Sequence, residues 1–197
     1  MSDENRLFLK TELIRRIRED LDAQDTLFMQ QHSRIYQIIQ QLEEINPNPQ
    51  PLTSKNLSKL VGDWKVLYSI KRHRTPLGTQ TVSNKGTGID IRIMQNLTLN
   101  NSKIISSADT VFIELTAFAE WKIEVEGVWN IKDNKTALVK LKTFEFKLPQ
   151  PFFIPEFKIP LFELFPIENL WKIYYLDEDM LFGKDENDTL FIFCNSR

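Results

Sequence analysis

The sequence has few of the residues on which several classes of protein depend. Its single cysteine, Cys194, excludes a disulfide within the chain and favours a reducing environment. No stretch approaches the roughly 18 uninterrupted apolar residues that a membrane-spanning helix needs. The formal net charge of −2 argues against general nucleic-acid binding, since proteins of that class carry an excess of basic residues. These absences favour an ordinary globular protein.

The start of the chain also lacks the features of a leader. Residues 1–6 contain neither the basic nor the apolar segment of a secretory signal, and they are too acidic to begin a transit peptide. We therefore expect a protein that is not secreted, and that either works where it is made or has the sequence of a mature, trimmed form.

Common catalytic signatures are missing as well. The two histidines, His32 and His73, lie in polar surroundings, and no G-x-S-x-G, P-loop, H-E-x-x-H or C-x-x-C motif occurs. Cys194 has no obvious histidine partner and is interpreted as a structural thiol. We therefore predict that the protein is not an enzyme, with no catalytic residue, no cofactor and no metal site.

The first part of the chain has a helical pattern. Apolar side chains recur every four residues in a highly charged stretch, at Leu9, Leu13, Ile17 and Leu21, and a second amphipathic run follows. Three prolines within residues 47–51 cannot continue a helix, because each removes a backbone donor. We predict a helical extension over residues 1–46, a proline-rich linker and the start of a short helix over 47–56, and a β-domain over 57–197.

From Val61 onward the apolar pattern changes to a period of two. About eight short strands follow, with short connections and no long helix between them. Consecutive antiparallel strands of this kind close into a barrel or stack as a sandwich. In the first of these strands the alternation predicts Trp64, Val66 and Tyr68 on one face.

Two short motifs in this β-domain resemble those of a known family. Gly62 and Trp64 enter the first strand as the G-x-W of lipocalin-like barrels does, and residues 175–179 read Tyr-Leu-Asp-Glu-Asp before a terminal hairpin. Together they resemble the plastid lipid-associated proteins, also called fibrillins, over roughly residues 57–193. The positions that match the family motifs are Gly62, Trp64, Leu176, Asp177, Glu178 and Asp179.

The chain departs from that family pattern at three positions near its end. Leu181 and Lys184 stand where the family usually has arginine, and Asp188 stands at a usual glycine. If those arginines serve a headgroup or a partner in relatives, that function is lost in this chain; the alternative is that the change merely replaces a surface pair.

The resemblance implies a fold and a function. The expected fold is a mainly β, lipocalin-like antiparallel barrel with an N-terminal helical extension. The expected function is non-catalytic binding of a hydrophobic lipid or isoprenoid, such as a carotenoid, a quinone or a fatty-acyl molecule, at a photosynthetic membrane. The implied location is peripheral to the thylakoid of a plastid or a cyanobacterium, or else cytoplasmic or stromal.

The acidic motif has two interpretations. Adjacent residues of a strand point to opposite faces, so only Asp177 and Asp179 could converge as an acid/base pair or on a hard cation. A turn or a bulge at this acidic run is the favoured interpretation.

Aromatic residues provide the candidates for a ligand cavity. Ligand pockets are mostly apolar, with few polar groups to fix orientation. The candidates are Trp64, Tyr68, Trp121, Trp129, Phe144, Phe146, Trp171 and Tyr175. The same pattern fits a solid core, because a small barrel is filled by its own side chains.

A second set of residues provides candidates for docking on a membrane or a partner. Residues 149–166 combine five prolines with a very high apolar content, and a basic loop begins at Lys71. The docking candidates are Phe152, Phe153, Phe157, Phe162, Phe165, Lys71, Arg72 and Arg74. A solvated hairpin loop is the alternative for the basic residues.

The sequence leaves two other functions open. A scaffold protein with a filled barrel would use the phenylalanine- and proline-rich segment against a lipid surface or a partner enzyme. A lipocalin-like chromophore lyase would need a polar constellation inside the barrel, and the predicted interior positions are overwhelmingly apolar, which disfavours it.

Overall fold

The computed structural model describes most of the chain. The described residues are 2–22, 28–71, 90–101, 104–116, 119–147, 157–160 and 168–196. The chain forms two compact units, Met1–Pro49 and Gln50–Arg197. Within the described helices, no segment is long and apolar enough to cross a membrane.

The first unit is a pair of contacting helices, α1 (Ser2–Asp22) and α2 (Phe28–Glu44). Their apolar stripes are buried, at Leu9, Leu13 and Ile17 on α1 and at Ile35, Ile38, Ile39 and Leu42 on α2. On the polar side of α1, Arg15 and Arg16 both pair with Glu12. These ion pairs hold the pKa of Glu12 at about 2. The helical extension predicted from the four-residue spacing is therefore confirmed.

The second unit contains one short helix, α3 (Leu57–Leu60), and the strands. The described strands are β1 (Gly62–Lys71), β2 (Asp90–Asn101), β3 (Ile104–Thr116), β4 (Ala119–Ile131), β5 (Thr136–Lys147), β6 (Phe157–Pro160), β7 (Glu168–Leu176), β8 (Met180–Lys184) and β9 (Thr189–Asn195).

These strands close into an antiparallel barrel. Around the ring the order is β1, β2, β3, β4, β5, β7, β8 and β9, and β9 pairs with β1. Strand β6 shares one edge of β5 with β7: the first part of β5 pairs with β7, and the part from Thr143 to Phe146 pairs with β6. The predicted mainly β, lipocalin-like barrel is confirmed.

One end of the barrel is filled by apolar side chains around Trp64. The Trp64 indole is fully buried and its Nε1–H donates to the Leu60 carbonyl at 2.8 Å. Leu52 and Leu57 belong to the same cluster, and the Leu52 amide donates to the Asn134 carbonyl at 3.0 Å. Part of the stretch that the sequence predicts as a linker thus packs as a plug of the barrel.

The entry to β1 explains the first family motif. Gly62 has a φ of 144°, which a residue with a Cβ adopts only under strain. This conformation leads from α3 into the strand, and Trp64 follows two residues later on the inner face. The glycine and the tryptophan therefore belong to one local motif that closes this end of the barrel.

Two β-bulges change which residues face inward. In β1 the pairing with β9 shifts between Val66, opposite Phe193, and Tyr68, opposite Ile192. Since directly paired residues share a face, Val66 lies on the inner face with Phe193, whereas Tyr68 lies on the opposite face with Ile192. The alternation predicted from the sequence is therefore broken after Val66.

A second bulge has the same effect in β7. Ile173 pairs with Gly183, but Tyr175 pairs with Phe182, whereas an unbroken ladder would pair it with Leu181. Tyr175 and Phe182 stack at 4.7 Å between ring centroids, and both are fully buried on the face opposite to Ile173.

Candidate functional site

The inner face of the barrel carries a group of aromatic side chains, which we call the aromatic cluster: Trp129, Trp171, Phe191 and Phe193. The Trp171 ring centroid lies 6.0 Å from that of Trp129 and 5.2 Å from that of Phe191. Gly183 makes this packing feasible, because a Cβ at that position would lie 2.6 Å from the Trp171 ring. The cluster offers flat apolar surface of the kind that dominates ligand-binding walls.

Three polar side chains lie on the same inner face, on β2 and β3: Gln95, Ser107 and Asp109, which we call the polar cluster. Gln95 on β2 directly faces Asp109 on β3, and Ser107 lies two residues before Asp109. Gln95 and Ser107 are at least nine-tenths buried, while Asp109 is partly buried. Ser107 lies opposite Gly127, where a Cβ would approach its Oγ to 2.6 Å, so the glycine leaves room for the hydroxyl.

Within the described part of the chain, five buried side-chain atoms of the two clusters have no hydrogen-bond partner. They are Gln95 Oε1, Ser107 Oγ, Asp109 Oδ1, Trp129 Nε1 and Trp171 Nε1. A buried polar atom without a partner costs roughly 1–3 kcal/mol, and native proteins contain few such atoms. Five in one barrel interior therefore mark a place where a polar group from another molecule would be stabilised.

The charge of this site is determined by Asp109. Burial raises the pKa of its carboxyl to about 6, and a side-chain hydrogen bond from Gln95 opposes the shift. The cross-strand neighbours of Asp109 are Gln95 and Val125, neither of which titrates. Among the described side chains of the inner face, none is lysine or arginine.

The acidic motif at the end of β7 forms a turn. Asp177 is fully buried, and its carboxylate accepts the Tyr175 hydroxyl at 2.6 Å and the amides of Asp179 and Met180 at 2.9 and 2.8 Å. Glu178 and Asp179 are exposed. Within the described residues, no group of three or more His, Cys, Asp or Glu side chains could hold a metal ion.

Residues 9–194 match the PAP_fibrillin family. The chain belongs to the PAP_fibrillin family. This confirms the resemblance found in the sequence, and the match extends it through the helical unit, which the two motifs do not cover. No curated protein matches the chain. Family membership and the closed barrel fit a lipid-associated, non-catalytic role.

In this PAP_fibrillin protein, the predicted cavity residues divide between the two faces. Trp64, Trp129 and Trp171 lie inside, and Phe144 pairs with the inner-face residue Val125. Tyr68 and Tyr175 lie on the opposite face because of the two bulges. For the remaining two, only the backbone is described: Trp121 pairs with Ile113, and Phe146 with Ile123.

Most of the predicted docking residues lie outside the described part of the chain. Phe152, Phe153, Phe162, Phe165, Arg72 and Arg74 are among these. Phe157 opens β6 and pairs with Phe146, and Lys71 ends β1 and pairs with Thr189, with neither side chain described. The docking surface of this PAP_fibrillin protein stays a prediction.

Sequence reasoning misses the polar cluster. The interior predicted from the sequence is overwhelmingly apolar, and the structure places three polar exceptions there. The signal is present in the spacing: Gln95 lies midway between Ile93 and Leu97, and Ser107 and Asp109 continue the alternation of Ile105. A polar residue at an apolar position of a period-two series indicates an inward-facing polar group.

Proposed function

We propose that this PAP_fibrillin protein binds one molecule of an apolar lipid or isoprenoid inside its barrel, without catalysing a reaction on it. The observation that carries the proposal is the set of five buried, unpartnered polar atoms in the polar and aromatic clusters. A water could pair with one or two of them, but their distribution over four strands suits a larger group.

The aromatic cluster supports the apolar part of this proposal. Trp129 and Phe193 are buried, and Trp171 and Phe191 are half-buried. Burial of ligand surface against such side chains yields about 25 cal/mol per Å². The five polar atoms are out of reach of solvent, so a ligand must displace neighbouring side chains as it enters. We expect slow association for this reason.

The finer assignment follows the family. A carotenoid, a quinone or a fatty-acyl molecule at a photosynthetic membrane is the ligand class that the resemblance implies, with the protein peripheral to that membrane in a plastid or a cyanobacterium. Peripheral attachment through residues 149–166 belongs to the same proposal.

Native mass spectrometry tests the proposal. The full chain is incubated with a lipid and pigment extract of photosynthetic membranes, and the mass of any bound molecule is read from the complex. We expect a one-to-one complex that weakens when Gln95→Leu and Ser107→Ala are combined. Leu170→Ala, at an exposed position, is the matched control. A protein that stays empty with every extract refutes carriage and favours a scaffold with a filled barrel.

A further inference from the structure

The polar cluster has a defined balance of donors and acceptors. Gln95 Oε1 accepts only, and so does Asp109 Oδ1 when the carboxyl is ionised. The Ser107 hydroxyl can donate and accept. The indole Nε1–H groups of Trp129 and Trp171 can only donate. The site therefore presents acceptors on β2 and β3 and donors on β4 and β7.

A hydroxyl group matches this balance better than the other common polar ends of lipids. It donates to an acceptor of Gln95 or Asp109 and accepts from the Ser107 hydroxyl. A ketone or a quinone carbonyl accepts only, so it leaves the two acceptors unpaired. A carboxylate has the same defect and adds a negative charge beside Asp109.

The surroundings make a carboxylate end especially unfavourable. Inside a protein, like charges repel strongly because the local dielectric constant is low. None of the side chains described on the inner face is a cation that offsets a second negative charge near Asp109, and Leu181 on β8 is a fully buried apolar residue of that face. A free fatty-acid anion would therefore bind poorly in this barrel.

We infer that the molecule bound in the barrel is neutral and carries a hydroxyl at its polar end, which Gln95, Ser107 and Asp109 hold by hydrogen bonds. This inference rests on the proposed function, and it adds the chemistry of the ligand's polar end. The selection acts through matched donors and acceptors, as in sites that reject an analogue lacking one hydroxyl.

The test compares ligands that differ only at the polar end. Decan-1-ol, decan-2-one and decanoate are titrated into the full chain at pH 8, where decanoate is ionised, and dissociation constants are measured by native mass spectrometry and by calorimetry. We expect decan-1-ol to bind at least about tenfold more tightly than the other two, the effect of one unpaired buried acceptor.

Two variants and a control distinguish recognition by the polar cluster from non-specific hydrophobic binding. Asp109→Asn keeps the size of the side chain, removes the charge and adds a donor, so decanoate should gain at least about threefold relative to decan-1-ol. Ser107→Ala should weaken decan-1-ol about tenfold. Ser106→Ala makes the same change one residue away, on the opposite face, where the side chain accepts from Asn100, and should leave all three constants unchanged.

The outcomes distinguish this inference from the proposed function. If all three probes bind with similar affinity, or if decanoate or decan-2-one binds best, the barrel is a carrier but the hydroxyl assignment is wrong. If Asp109→Asn leaves the ratio of the decanoate and decan-1-ol dissociation constants unchanged, Asp109 does not contact the polar end. If none of the probes binds, the assignment and the carrier function fail together. Circular dichroism of each variant confirms that it is folded.

Discussion

Asp109 is the residue whose ionisation should govern the stability of the barrel unit at mild pH. Its pKa is raised to about 6 by burial. Between about pH 4 and pH 6 the folded chain holds a proton that the unfolded chain has released, so the free energy of unfolding falls as the pH rises. We expect a loss on the order of 2 kcal/mol across this window, absent in Asp109→Asn.

Urea denaturation at several pH values measures this effect. The control is Asp133→Asn. Backbone hydrogen bonds from Lys135 and Thr136 lower the pKa of Asp133. The contribution of Asp133 to stability is therefore lost as the pH falls, the opposite direction to the effect of Asp109. Identical pH profiles for the original chain and Asp109→Asn would contradict the burial of this carboxyl.

Asp188 offers a second test at the scale of one residue. Its φ of 61° lies in the left-handed region, where glycine is favoured and aspartate is tolerated. Its ion pair with Lys184, at 3.6 Å between the charged atoms, contributes little because the Asp188 carboxylate is exposed to solvent. We expect Asp188→Gly to raise the free energy of unfolding by about 0.5–1 kcal/mol and Asp188→Ala to lower it. Equal effects of the two changes in thermal melts would contradict the strained turn.

These residues show what can and cannot be predicted from the sequence. The place of Trp64 is predictable because it depends on a local motif, the glycine two residues before it and the helix that it follows. The pairing of Gln95 with Asp109 is not predictable, because it depends on the register between two strands, which is a long-range property.

At the scale of elements, the turn between β7 and β8 should depend on one carboxylate. Asp177 accepts two backbone amides and the Tyr175 hydroxyl while fully buried. We expect Asp177→Ala to lower the free energy of unfolding by about 2–4 kcal/mol, because it leaves these donors without an acceptor.

Chemical denaturation with two further variants checks this turn. Tyr175→Phe should cost about 1 kcal/mol, since it removes one hydrogen bond. Glu178→Ala, at the exposed neighbouring position, should change stability by less than about 0.5 kcal/mol. A small loss of stability in Asp177→Ala together with a large loss in Glu178→Ala would contradict the conclusion that Asp177 stabilises the turn.

The strands themselves are predictable, but their faces are not wholly so. The period-two pattern predicts β1 and β4 correctly, since alternation is a local signal. Bulges after Val66 and Ile173 then turn Tyr68 and Tyr175 to the other face. An extra residue in one strand leaves no mark in composition, so the sequence does not reveal it.

At the scale of the whole molecule, the closed barrel and the family match both confirm what the sequence predicts. The predicted barrel is confirmed, and the family match runs from residue 9 to residue 194, through both compact units. The sharing of β5 between β6 and β7 is not predictable, because the apolar, proline-bearing segment has no strand pattern.

The indole groups allow one direct measurement of the central claim. The chain has four tryptophans, each with one indole Nε1–H signal in a nitrogen–proton correlation spectrum. Trp64 already donates to the Leu60 carbonyl, whereas Trp129 and Trp171 have no partner within the described residues. Tryptophan-to-phenylalanine variants assign the signals, and decan-1-ol is then added to the full chain.

Binding inside the barrel predicts saturable shifts of the Trp129 and Trp171 indole signals that are larger than the shift of the Trp64 signal, whose Nε1–H already has an acceptor. Shifts confined to Trp64, or no indole shift at a concentration that gives the one-to-one complex in mass spectrometry, would contradict binding at the aromatic and polar clusters.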